Sequence, residues 1–334
     1  MEEDSDDEAS ATFEREETAP TSIPVSIRGA PDDDRARAEK FAHRLAAIVR
    51  VISKYLNLQT LDGITVATDY ATALRELDRG YETSYVLTPS EDFGSGVAMT
   101  PSVIRDGLLR SHIVLSADLM WPLGDETHEG FELAIHLLFH ECAHVHITAA
   151  YDKAFPNVLL RKALHVHENL RSQVILACWD EYAATCLSAG CGKELTKDYE
   201  EIFLKALAEC RNQADACIAS FRLHRNHSQV LHEVYGLYGC LMKYACYHAG
   251  NMRGLGLGLD DLPQTKAALT NHWFSPWFKA LSEACEDLAE QFGSWTDHTL
   301  FERIGGLADQ IVAEGGITIT DLSDGGANIK VRLW

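Results

Sequence analysis

The stretch Phe139-His140-Glu141-Cys142-Ala143-His144 lies inside an apolar run from Phe131 to Ala150 and ties one local geometry to one chemistry. On a helix, a rotation of about 100° per residue sets His140 and His144 one turn apart on the same face, roughly 6 Å along the axis. Two imidazoles so placed can hold one Zn²⁺, at about 2.0–2.1 Å each. Glu141 points about a third of a turn away from His140. It can reach a water beside the metal rather than the metal itself, as a general base for metal-assisted hydrolysis must. The plainer alternative is a satisfied pair of histidines at a helix seam. The small residues Cys142 and Ala143 and the apolar surroundings favour a core helix that carries a metal.

A catalytic zinc usually takes three protein ligands and one water. The nearest extended pattern would need a glycine three residues after His144 and a histidine six residues after it. Those positions are Ile147 and Ala150, so that class is excluded. His146 follows too closely to face the metal. The next candidates lie in Cys178-Trp179-Asp180-Glu181-Tyr182-Ala183-Ala184-Thr185. A carboxylate on this second helix could cross the seam, because Ala183 and Ala184 remove bulk that would hold the helices apart. Asp180 is a rival ligand with a shorter reach. The plain reading of Glu181 is a surface acid on an amphipathic helix.

Together, His140-Glu141-Cys142-Ala143-His144 and Glu181-x-x-Ala184 resemble the two zinc motifs of the gluzincin metallopeptidases. The order of elements over about residues 36 to 190 resembles the ImmA/IrrE-type minimal gluzincins. The resemblance implies that His140, His144 and Glu181 hold Zn²⁺ and that Glu141 moves the proton in peptide hydrolysis. It also implies that the strand His112–Ser116 is a sheet edge on which an extended protein or peptide substrate, such as a regulatory protein, is held. Two features depart from the family pattern: Thr185 stands where Asn or Asp is frequent, and the connection between the motifs is long and contains Pro156. For oxyanion stabilisation, His232 and Tyr235 lie one turn apart on a later helix and are the candidates. Their plainer role is a buried pair at a helix seam. A competing function is a non-catalytic, zinc-stabilised sensor or interaction module, with Asp180 or His165 closing the site as a fourth ligand. Glu141 favours catalysis, since a merely structural site has no use for it.

Charge sets further bounds. The 334 residues carry a net charge of −21, with Glu2, Glu3, Asp4, Asp6, Asp7, Glu8, Glu14, Glu16 and Glu17 crowded at the start. This balance argues against direct nucleic-acid binding. Residues 1–34 are expected to form a disordered acidic tail. Nine cysteines without framework spacing, and an acidic N-terminus lacking an apolar signal segment, point to free thiols in the cytoplasm. No apolar run is long enough to suggest a membrane partner.

Apolar spacing predicts helices over 35–56, 70–77, 127–150, 168–189, 197–221, 228–249, 275–292 and 299–313. Strands are predicted at Ile64–Ala67, Ser84–Leu87, Gly96–Met99 and His112–Ser116, with a terminal hairpin from Ile317–Thr320 and Asn328–Val331. Gly254 to Gly258 reads as a flexible loop. The expected fold is α+β: a small mixed β-sheet packed on a zinc-binding helix pair, followed by a mainly α-helical C-terminal region. A metallopeptidase-like domain spans residues 35–190, and residues 191–334 form a helical extension packed on it.

Overall fold

The computed structural model describes residues 15–29, 34–83, 85–89, 96–161, 163, 165–322 and 326–332. Its first third contains β1 (Val25–Arg28), α1 (Arg35–Ile52), β2 (Leu61–Ala67), α2 (Tyr70–Arg75), β3 (Ala98–Met99), β4 (Ser102–Arg105) and β5 (Leu108–Ser116). The strands β1, β2 and β5 run parallel side by side, and β3 and β4 pair antiparallel with the far side of β5. The strand containing His112–Ser116 is therefore interior, which corrects its assignment as a sheet edge. Its side chains show why. Ile113 and Leu115 are buried in the main core, while Val114 is buried in a second cluster with Ala73 and Leu74 of α2. Apolar groups on both faces belong to a covered, interior strand.

The tail assignment is also revised. Ile23 is buried, and with Val25 and Ile27 it packs on the main core. Every second residue is thus apolar, as a half-buried strand requires. The Thr18 hydroxyl donates to the carbonyls of Ser53 and Leu56 at 2.8 and 2.7 Å, which fixes the approach to β1. Residues 1–14 lie outside the described part, as does Ser84. No strand forms at Tyr85–Leu87: Leu87 alone is buried, Tyr85 and Val86 are exposed, and the far side of β5 already carries β3 and β4.

The remaining elements are α3 (Ala117–Met120), α4 (Phe131–Ala154), α5 (Val166–Ser188), α6 (Thr196–His224), α7 (His227–Leu255), α8 (Pro263–Leu269), α9 (Ser275–Glu290), α10 (Thr299–Glu314), β6 (Ile317–Asp321) and β7 (Ala327–Val331). The last two pair as the antiparallel hairpin that the sequence predicts. The fold is α+β, with a small mixed sheet and a helical C-terminal region. In α4, buried residues occur on nearly every side from Ala134 to Tyr151, which marks it as a central helix. It packs against β5 and α1 on one side and α5 on the other. In turn, α5 is covered by α7, α9 and α10, and one continuous core runs from Ile23 to Ile317. None of the described helices is long and apolar enough to cross a membrane.

The expected glycine loop is partly helix, because α7 continues to Leu255. A Cβ at Gly254 would lie 2.4 Å from the Cys186 carbonyl oxygen, and one at Gly250 would lie 2.2 Å from that of Tyr182. Both glycines let α7 lie directly against the backbone of α5. At Gly256, a φ of 68° ends the helix in the left-handed conformation that glycine adopts without strain.

Candidate metal centre

The i, i+4 spacing carries through to the structure: His140 and His144 are buried on one face of α4 with their Nε2 atoms 3.0 Å apart. Among the described residues, His140, Glu141 and His144 are the group that could hold a metal ion, with ligand-type atoms all within 4.8 Å of one another. Across the seam, α5 brings Glu181 to the same two nitrogens. Its Oε2 lies 3.4 Å from His140 Nε2 and 3.5 Å from His144 Nε2. That oxygen is buried without a hydrogen-bond partner. Three ligands of a tetrahedral ion at about 2.0–2.1 Å would be separated by roughly 3.3 Å. The triangle of 3.0, 3.4 and 3.5 Å fits that requirement.

The two carboxylates are held differently. Glu141 Oε2 accepts from the Thr100 hydroxyl at 2.6 Å, so this acid is tied to the loop between β3 and β4. Glu181 turns an unpaired oxygen toward both imidazoles. Asp180 is 2.9 Å from His144 Nδ1, the ring nitrogen facing away from the triangle. It therefore orients the imidazole from behind, the arrangement seen around metal-bound histidines. On the other ring, His140 Nδ1 faces Ser188 Oγ at 3.4 Å. Thr185, from which the resembled motif would orient a histidine, instead donates to the Glu181 carbonyl at 2.7 Å.

The electrostatics favour positive charge at this point. Burial works to lower the His144 pKa, but Asp180, Glu181 and Glu141 outweigh it and push the value up to about 10. Burial would raise Glu181, yet His144, His140 and the Tyr247 hydroxyl pull it down to about 2. Glu141 is raised, because burial outweighs the histidines and the Thr100 hydrogen bond. A base with a raised pKa accepts a proton more readily.

These residues open onto a cavity of about 510 Å³, lined also by Ala98, Met99, Thr100, Tyr199, Lys243 and Tyr247. Tyr247 stacks on His140 with ring centroids 6.2 Å apart, and Tyr199 stacks on Tyr247 at 5.7 Å. Behind them sits His136, one turn before His140 on α4 and 1 % exposed. Its Nδ1 lies 3.0 Å from the Cys191 carbonyl and so must carry the proton. Burial and the neighbouring His140 lower its pKa to about 4, which leaves the ring neutral. Nε2 is then an acceptor for the Tyr199 hydroxyl, 3.1 Å away. That hydroxyl's proton is engaged, whereas the Tyr247 hydroxyl is directed at Glu181.

The structure does not bring His232 and Tyr235 to this cavity. The His232 side chain is exposed, with Nδ1 2.7 Å from the Ser228 carbonyl, and Tyr235 is buried with its hydroxyl donating to Asp309 at 2.8 Å. Tyr235 lies twelve residues before Tyr247, about 18 Å along a helix. His165 begins α5, some sixteen residues or about 24 Å before Glu181, and lines a different cavity. His146 faces away as expected, accepting from the Asn57 amide at 3.0 Å. Comparison with known protein families, curated proteins and solved structures finds no match for this chain, so the function has to be read from the centre itself.

Proposed function

We propose that this protein is a zinc-dependent metallopeptidase of gluzincin type that cleaves an extended segment of a protein or peptide. The carrying observation is the triangle of buried ligand-type atoms from His140, His144 and Glu181, with the separate carboxylate of Glu141 beside it. In this reading, the triangle supplies the three zinc ligands. A bound Zn²⁺ would polarise a substrate carbonyl and lower the pKa of water toward about 7. Glu141 takes the water's proton and delivers it to the departing nitrogen, and Thr100 keeps the carboxylate in place throughout. Tyr247 takes the oxyanion-donor role first considered for His232 and Tyr235. It is supported by its hydroxyl at the ligand cluster and its stacking on His140.

The cavity shape supports a long substrate. Strand β3 lines it, and its described pairing is with β5 alone, so an extended chain could add beside Ala98 and Met99. A second cavity of about 290 Å³ shares Thr100 and Asp180 with the first and continues the cleft toward Tyr151 and Leu159. The orientation of Asp180 supports an open catalytic centre over a closed structural one, because Asp180 meets the rear nitrogen of His144.

The decisive experiment compares wild type with Glu141→Gln for bound zinc and for cleavage of a peptide library. Equal zinc with hydrolysis reduced by at least about 10²-fold is expected. Undiminished cleavage by the variant, or wild-type protein that does not retain zinc, would overturn the proposal.

A further inference from the structure

The cavity is lined by one lysine, for which the hydrolytic reading has no use. Lys243 lines it from α7, half-buried, one turn before Tyr247. Its Nζ lies over the Tyr244 ring, 5.0 Å from the centroid, and no carboxylate among the described residues pairs with it. The carboxylates that share the cavity are engaged or solvated. Glu181 faces the histidines, Glu141 is tied to Thr100, Asp180 backs His144, and Asp198 is exposed. The remaining wall is apolar, formed by Val97, Met99, Leu137, Leu195 and Ile202. A cation against an apolar wall pairs more strongly with an arriving anion than the same cation in open water.

We infer that Lys243 is the specificity-determining residue of the cleft and that it selects a substrate carrying a carboxylate near the bond to be cut. This inference rests on the peptidase reading of the same cavity. One helical turn separates Lys243 from Tyr247, about 6 Å, which an extended chain covers in roughly two residues. The selected carboxylate is thus one or two residues from the reacting carbonyl. Two sources offer that chemistry: the free C-terminus of a peptide, or an Asp or Glu side chain within a longer one. The first makes the protein an exopeptidase releasing a short C-terminal fragment; the second makes it an endopeptidase that reads acidic sequences.

The test uses full-length, zinc-loaded Glu141→Gln protein and calorimetric binding of two pairs of acetylated hexapeptides. One pair has no acidic side chain and differs only in a free or amidated C-terminus. The other is C-terminally amidated and differs only by Glu or Gln at the third position. One pair should show about a tenfold preference for the carboxylate member. Lys243→Met should erase that preference, and Lys243→Arg should keep most of it. Equal affinity within both pairs, or a preference that persists in Lys243→Met, overturns the inference. A carboxylate preference in a protein whose wild type hydrolyses no peptide would leave the Lys243 site standing while removing the peptidase reading.

Discussion

Two buried polar clusters occupy opposite ends of α5 and differ in one respect. Near its start, His167 and Arg171 meet Asp309 of α10 and Tyr235 of α7. The distances are 2.7 Å for His167 to Asp309 and 2.8 Å for Tyr235 to Asp309. Arg171 bonds Asp309 as well, and reaches Glu302 at 2.6 Å. Each of these contacts sets a donor against an acceptor. Near the end of α5, the Glu181 oxygen and two imidazole nitrogens converge within 3.5 Å, and that oxygen has no hydrogen-bond partner. A matched cluster is glue between helices, because its groups gain nothing from a ligand. The second leaves one buried oxygen unpaired, a demand that a cation would meet. Charge alone does not separate the two ends; the unpaired Glu181 oxygen tells them apart.

The largest expected effect tests that demand directly. At a free zinc concentration a thousand times the dissociation constant, wild type should gain about 4 kcal/mol of stability. Glu181→Gln should lose most of that gain. Thermal unfolding with and without chelator checks this, and an unchanged midpoint in wild type would remove the distinction between the two clusters. Next in size, Asp309→Ala removes the acceptor shared by His167, Tyr235 and Arg171, leaving Arg171 to Glu302, and should cost ~3 kcal/mol in denaturant unfolding, with bound metal unchanged. A parallel loss of metal would show that the clusters are coupled along α5. The finest comparison sets two tyrosines of α7 against each other. Tyr247→Phe should lower kcat about 10²-fold with little change in stability. Tyr235→Phe should cost ~1 kcal/mol of stability and leave kcat alone. The reverse pattern would return the oxyanion role to Tyr235.

Features set by local spacing were legible in the sequence. The pairing of His140 with His144 follows from helical periodicity, and the approach of Glu181 follows from the small residues after it. The position of β5 in the sheet was not legible, because it depends on β3 and β4, and β3 spans only Ala98–Met99. Such a short segment carries no alternation to read. Into and along β1, Ile23, Val25 and Ile27 did alternate, but Pro24 and the surrounding acids suggested disorder. Tyr247 was missed for a different reason. Several residues of α7 bear hydroxyls or imidazoles, and the choice among them depends on where a 29-residue helix crosses α5. The usable signal was the run of small residues Ala245, Ala249, Gly250 and Gly254, which marks the crossing. His136 was visible one turn before His140, but its partner Tyr199 lies 63 positions further along the chain.

The contact at Gly250 and Gly254 has a mechanical consequence. Ordinary helix seams are cushioned by side chains that change rotamer when one helix drifts. Here α7 rests on backbone oxygens of Tyr182 and Cys186, with only the short side chains of Thr185 and Ala189 beside them. The seam acts as a gauge block: it sets the height of Tyr247 above His140 by two backbones and the shortest of side chains. Tyr182 and Glu181 are neighbours, so the spacing is referenced to the same turn of α5 that presents the carboxylate. Any residue larger than glycine at these two positions would act as a shim, lifting the donor away from the centre while leaving each helix internally intact.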